Sequence, residues 1–114
     1  MHCVSMYPCN YENANLNKMK GLMKLHDKVG YSDHIQGVES AKIAIGEGAC
    51  VIEKHFTIDN DLPGRDNKFA ILPSNLKDLS DYISNRKAMF EDHGLDFQQG
   101  ELDSRTNYEG RFNG

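Results

Sequence analysis

The chain reads as an α/β protein built on a parallel sheet, and three observations carry that reading. Strand-like and helix-like segments alternate three times along the 114 residues. Such alternation argues for parallel strands joined by right-handed crossovers. The helical segments carry apolar residues at steps of three and four, one stripe each. Finally, Ser5, Tyr7, Ser32, His34, Glu53 and His55 all fall at the C-terminal ends of strand-like runs and share one face. Parallel α/β folds bind ligands beyond those ends.

His2 to Tyr7 is expected to be the first strand, stopped by Pro8, which cannot donate to a ladder. Ala14 to Asp27 has helical period, with Leu16, Met19, Leu22, Met23 and His26 on one stripe and Asn13 or Asn15 as N-cap. Lys28 to Asp33 is the second strand. Val38 to Glu47 is the next helix, packing through Ala41, Ala44 and Ile45 and ending at Gly46 and Gly48. Ala49 to Phe56 is the third strand. Asp59 to Asn67 is a turn-rich loop around Pro63-Gly64. Pro73-Ser74 opens a long helix, with Ser74 as N-cap and Leu76, Leu79, Ile83 and Phe90 on its packing side, ending near Gly94. The residues after it lack periodicity and are expected to form an extended tail. The expected division is residues 1–94 as the folded part and 95–114 as the tail.

Length allows one compact domain and not two. Hydrophobic residues make up 39% and charged residues 26%, a globular rather than disordered balance. The net charge of −4 excludes a general nucleic-acid surface, which needs a basic patch. The three cysteines are odd in number and form no C-x-x-C pair, which argues for free thiols in a reducing compartment. No apolar run approaches the roughly 20 residues of a membrane helix, and no signal peptide pattern opens the chain. The expectation is a cytoplasmic protein.

Period-two alternation puts Ser32 with His34, and Glu53 with His55. Imidazoles at the same end of neighbouring strands can hold one divalent metal, and nitrogen donors alone suit zinc as well as manganese. The plainer alternative is a pair of hydrogen-bonded core histidines. Glu53 either takes part in acid–base chemistry or pairs with a cation. Lys54 points away from His55 and is expected in an ion pair on the outer face. Asp33, out of phase with His34, is expected to anchor the strand or a loop. His2, His26 and His93 are expected to be structural.

His2-Cys3-Val4-Ser5-Met6-Tyr7-Pro8, Val29-Gly30-Tyr31-Ser32-Asp33-His34, Glu53-Lys54-His55-Phe56-Thr57 and Pro63-Gly64-Arg65-Asp66 resemble, in order and spacing, the sialic acid synthase family. That family includes N-acetylneuraminate, legionaminic acid and pseudaminic acid synthases and related spore-coat polysaccharide proteins. The match covers roughly residues 1 to 90. The resemblance implies a (β/α)8 barrel, of which this chain would be the last three β/α units, strands six to eight. Residues 102–108 look like the short tail of members without the frequent C-terminal antifreeze-like domain.

The implied reaction condenses phosphoenolpyruvate with an N-acylated amino sugar to a nine-carbon 2-keto acid. By position, His34 and His55 match the ligands of manganese or magnesium. Ser32 matches a residue that contacts the phosphate of phosphoenolpyruvate, and Tyr7 and Asp66 match sugar contacts. Where some members carry an asparagine that holds phosphoenolpyruvate, this chain has Ser5, whose hydroxyl is shorter and lacks the amide N–H pair. Lysines that neutralise phosphoenolpyruvate belong to strands outside this stretch. The expected partners are therefore phosphoenolpyruvate, an amino sugar, and either further copies of the chain or a half-barrel carrying the other strands. A non-catalytic piece that needs such a partner is the alternative reading.

Overall fold

The computed structural model describes residues 1–106. Its elements are strand β1 (His2–Cys3), helix α1 (Leu16–Met23), strand β2 (Tyr31–Asp33), helix α2 (Glu39–Gly46), strand β3 (Ile52–Lys54) and helix α3 (Pro73–Met89). Two short 3-10 turns, Tyr11–Asn13 and Asn67–Phe69, sit in the connections. The strands form one sheet in the order β1-β2-β3. Both pairs are parallel, with Cys3 beside Ser32 and Ser32 beside Glu53. The alternation of the sequence therefore produces the parallel α/β arrangement it implied.

Each strand is shorter than its apolar run. β1 stops at Cys3, and Ser5 and Met6 are exposed rather than paired. The chain rejoins the sheet at Cys9, whose N–H donates to the His34 carbonyl at 2.8 Å beside a parallel bridge to Ile35. On the far edge of β3, Phe56 bridges Ile71, and the Ile71 N–H donates to the His55 carbonyl at 2.9 Å. Single bridges thus extend the sheet where regular ladders end.

The helices differ from expectation at their ends. α1 closes at Met23, and His26 leaves the stripe to form a local contact with Lys28. Asn15 precedes α1 in the left-handed region (φ 47°), and its side chain makes no capping bond. α3 starts with Pro73, so Ser74 lies inside the first turn and caps nothing. Instead the Asn75 side chain reaches back to accept the Leu72 N–H at 2.9 Å. Pro73 suits that first position because its missing N–H would be unpaired there anyway. α3 ends at Met89, before Gly94. Only Leu79 of its expected packing side is buried. Leu76 and Ile83 are 46% and 47% exposed, and Phe90 is exposed as well.

The core lies on one face of the sheet. Met19 of α1, Val29, Tyr31 and Ala44 of α2 form one cluster. Val38, Ala41, Ile71 and Leu79 form a second, which joins α2 to α3. The small Ala41 and Ala44 let α2 approach the sheet closely, and both are fully buried. The chain as a whole is longer than a compact one, because an exposed arm follows α3. The radius of gyration is 20.0 Å, against about 13 Å for a compact chain of this length. Beyond α3 the chain is exposed, and residues 101–106 are helical rather than extended. The rest of the expected tail, 107–114, lies outside the described residues.

Candidate active site

The face opposite the core carries Cys3, Ser32 and Glu53 in one row across the three strands. Beyond that row, at the C-terminal ends, the rings of His34 and His55 meet edge-on with centroids 5.3 Å apart. Tyr7 lies against both. It stacks on His55 at 4.3 Å and meets His34 edge-on at 5.3 Å. Phe69, from the second 3-10 turn, closes the aromatic group against Tyr7 at 5.8 Å. The turn-rich loop folds over this cluster. The Tyr7 hydroxyl donates to the Asp66 backbone carbonyl at 3.2 Å, and the Asp66 carboxylate lies 3.5 Å from His55 Nδ1.

The hydrogen bonds define what these groups can do. His34 Nδ1 lies 2.8 Å from the Val4 carbonyl oxygen. A carbonyl only accepts, so Nδ1 carries the hydrogen and Nε2 keeps its lone pair. Metal-ligating histidines are oriented in this way, by a carbonyl or carboxylate on the second nitrogen. Asp66 stands in the corresponding place beside His55. The imidazole of His55 is the second of the pair, its ring centroid 5.3 Å from that of His34. The donor set fits a divalent ion, but only in part. Among the described residues, no group of three or more His, Cys, Asp or Glu side chains is placed to hold a metal.

The Ser32 hydroxyl donates to the exposed Glu53 carboxylate at 2.8 Å. Glu53 is thus anchored to the row, and among the described residues it makes no ion pair. Burial, and then the negative charge of Asp66, push the Tyr7 phenol above its ordinary pKa, so it remains a hydrogen donor. Ser5 is the site residue that the structure does not gather in. It sits on the exposed segment after β1 and makes no hydrogen bond among the described residues.

Two features escaped the sequence reading. One is Phe69, whose place against Tyr7 depends on the loop's path. The other is the bracing of the loop by Asn60 and Asn67. The Asn60 side chain donates to the carbonyls of Asn67 and Ala70, at 2.7 and 3.1 Å. The Asn67 side chain donates to Leu62 and Pro63, at 3.2 and 2.8 Å. Asparagines flanking a Pro-Gly step were the available signal, since their amides bond nearby backbone.

Fold and site together define a parallel α/β protein with a polar, two-imidazole mouth at the carboxyl ends of its strands. The chain belongs to the NeuB family, whose profile matches residues 1–94. Over 90 residues it is 42% identical to N,N'-diacetyllegionaminic acid synthase of Legionella pneumophila, covering 78% of this chain and 25% of that protein. Over 110 residues it is 34% identical to pseudaminic acid synthase of Campylobacter jejuni, covering 93% of this chain and 31% of that one. Among solved structures it matches the N-acetylneuraminic acid synthetase of Leptospira borgpetersenii with a TM-score of 0.73 and 32% identity. That match covers 99% of this chain and 40% of the other. The chain therefore spans 25–31% of the length of these curated relatives.

Proposed function

We propose that this chain forms the last three β/α units of a synthase-type (β/α)8 barrel and supplies half of its active site. The whole site would condense phosphoenolpyruvate with an N-acyl amino sugar to a nine-carbon 2-keto acid and phosphate. The observation that carries this reading is the meeting of His34, His55 and Tyr7 at the carboxyl ends of neighbouring parallel strands. His34 and His55 would hold manganese or magnesium. A bound ion would polarise the sugar aldehyde and orient the attacking water.

The chain's own residues take defined parts. The Tyr7 phenol, kept protonated, would turn its hydrogen from the Asp66 carbonyl to a sugar hydroxyl, and the exposed Asp66 carboxylate accepts from another. The Ser32 hydroxyl has one hydrogen and would turn it from Glu53 to the phosphate of phosphoenolpyruvate. Glu53 is the proton acceptor at the rim. Ser5 would reach phosphoenolpyruvate only if its segment moved inward. Among the described residues no helix is long and apolar enough to cross a membrane, and a cytoplasmic setting goes with the chemistry.

The exposed apolar side of α3 and the large radius of gyration favour a partner that supplies the other strands. Alone, the chain would turn over negligibly. The test mixes it with the part of the Legionella synthase that precedes the matched stretch and measures keto acid and phosphate. Activity is expected in the mixture only. Glu53→Gln should lower it by about 10²-fold or more. His34→Ala and His55→Ala should each abolish manganese binding by calorimetry. An inactive mixture would favour the non-catalytic reading, and unchanged manganese affinity in both histidine variants would refute the metal pair.

A further inference from the structure

Behind the two imidazoles, on the helix-facing side of the sheet, lies a buried ion pair. Lys54 Nζ is 3.0 Å from Asp33 Oδ2, and the two side chains are 5% and 0% exposed. The pair stands on the outer, helix-covered face of the sheet, where alternation placed Lys54, and is buried under α2. Asp33 and Lys54 are register partners across β2 and β3. Each immediately precedes one of the site histidines.

The pair also grips the backbone beyond His34. Asp33 Oδ1 accepts the Ile35 N–H at 2.9 Å, and Lys54 Nζ donates to the Ile35 carbonyl at 2.6 Å. The Tyr31 hydroxyl donates to Asp33 Oδ1 at 3.3 Å, and the Ser40 hydroxyl donates to Asp33 Oδ2. His34 is therefore the middle residue of a segment held on both sides by one ion pair. Its own carbonyl accepts from Cys9, and its ring donates to Val4.

We infer that Asp33 and Lys54 are positioning residues that set the separation and orientation of the His34 and His55 rings across the β2–β3 ladder. The inference rests on reading those rings as the metal pair, but it concerns their placement, which can be measured without metal. A purely structural ion pair would behave differently. Breaking one partner would leave a buried charge and unfold the chain, whereas removing both charges together would restore the fold and change nothing at the rings. A positioning pair predicts a folded double variant with loosened rings.

The experiment uses the full 114-residue chain, as wild type and as the double variant Asp33→Asn/Lys54→Met. Long-range proton–nitrogen spectra read the tautomer of each histidine, and ring-to-ring proton contacts read the separation. Wild type should show His34 as a single Nδ1–H tautomer with contacts to His55. The double variant should show tautomer averaging at His34 and loss of those contacts, while His26 and His93 stay unchanged. Manganese added alone should broaden both rings in the wild type and require about 10-fold more ion in the double variant. A folded double variant with wild-type ring spectra overturns the inference. If manganese leaves even the wild-type rings untouched, the metal reading fails and the metal-free spectra decide this one. Should the double variant not fold, Ser40→Ala removes one donor from the same carboxylate. Broadening confined to His34 and His55 is then expected, and unchanged rings overturn the inference.

Discussion

Tyr31 shows how one side chain ties the core to the charged layer beneath the site. Its ring stacks on His2 at 5.5 Å, and His2 in turn contacts the Ala14 carbonyl through Nε2 at 2.8 Å. Only 2% of Tyr31 is exposed. Burial first, and the Asp33 carboxylate second, raise its phenol pKa far above the ordinary 10.0. The sign for stability follows. The folded chain keeps this proton when the unfolded chain gives it up, so stability falls as pH rises past 10.0. The slope should be about 1.4 kcal/mol per pH unit. Lys54 acts in the other direction, because burial lowers its pKa; its contribution levels off above the ordinary 10.5. Urea midpoints of wild type and Tyr31→Phe, compared from about pH 8 to about pH 11, isolate the phenol. The variant should lack the alkaline decline, and matching slopes would refute this account. At this scale the sequence was informative in phase. Alternation placed His34 and His55 on one face and Asp33 and Lys54 on the other. It could not tell that Asp33 would be the partner of Lys54, nor how completely α2 would bury the pair.

Among the elements, the chain segments just before β2 and β3 approach each other closely. A Cβ at Gly30 would lie 2.9 Å from the Val51 carbonyl oxygen and 3.1 Å from the Val51 Cβ. Gly30→Ala must therefore push β3 away from β2, at a cost of about 1–3 kcal/mol. Gly21 is the contrasting case. It lies within α1, and a Cβ there would meet nothing within 4 Å. Gly21→Ala should stabilise by about 0.5–1 kcal/mol, since alanine loses less backbone freedom in a helix. Denaturant midpoints should move in opposite directions for the two variants. A Gly30→Ala variant that is not destabilised would mean that the close approach is not a real constraint, and a destabilised Gly21→Ala would refute the open helix site. Element types and order were legible from periodicity, but the ends were not. α1 was expected to run to Asp27 because His26 fell on the stripe. Its ring instead bonds the Lys28 backbone, a local competition that no apolar pattern encodes.

For the molecule as a whole, the shape matters most. The extents of 64 × 37 × 22 Å describe a sheet with helices on one side and a long arm, not a closed body. Ile45, Val51, Ile52, Leu76, Leu79 and Ile83 line a groove of about 390 Å³ between α3 and the start of β3. With Val51, Leu76 and Ile83 about half exposed, it leaves an apolar strip beside the open edge of the sheet that association would cover. The expected outcome is association, either with a half carrying the other strands or, failing that, with further copies. Sedimentation over a wide concentration range should show the mass of the isolated chain rising with concentration. The rise should be suppressed when the Legionella segment is added. A constant monomer mass in both samples would count against it.

The sequence by itself determined the parallel α/β order, the family, and the face on which His34, Glu53 and His55 stand. These follow from periodicity and from motif spacing, which are local properties of the chain. Tertiary structure decided what those local signals cannot carry. Tyr7 stacks on His55 because the chain after β1 rejoins the sheet at Cys9 beside Ile35, and Asp66 reaches the same ring because Asn60 and Asn67 brace its loop. Asp33 and Lys54 became an interior pair because α2 closes over them. Contacts between residues distant in sequence depend on where each element is packed, and packing is a property of the assembled layers rather than of any one of them.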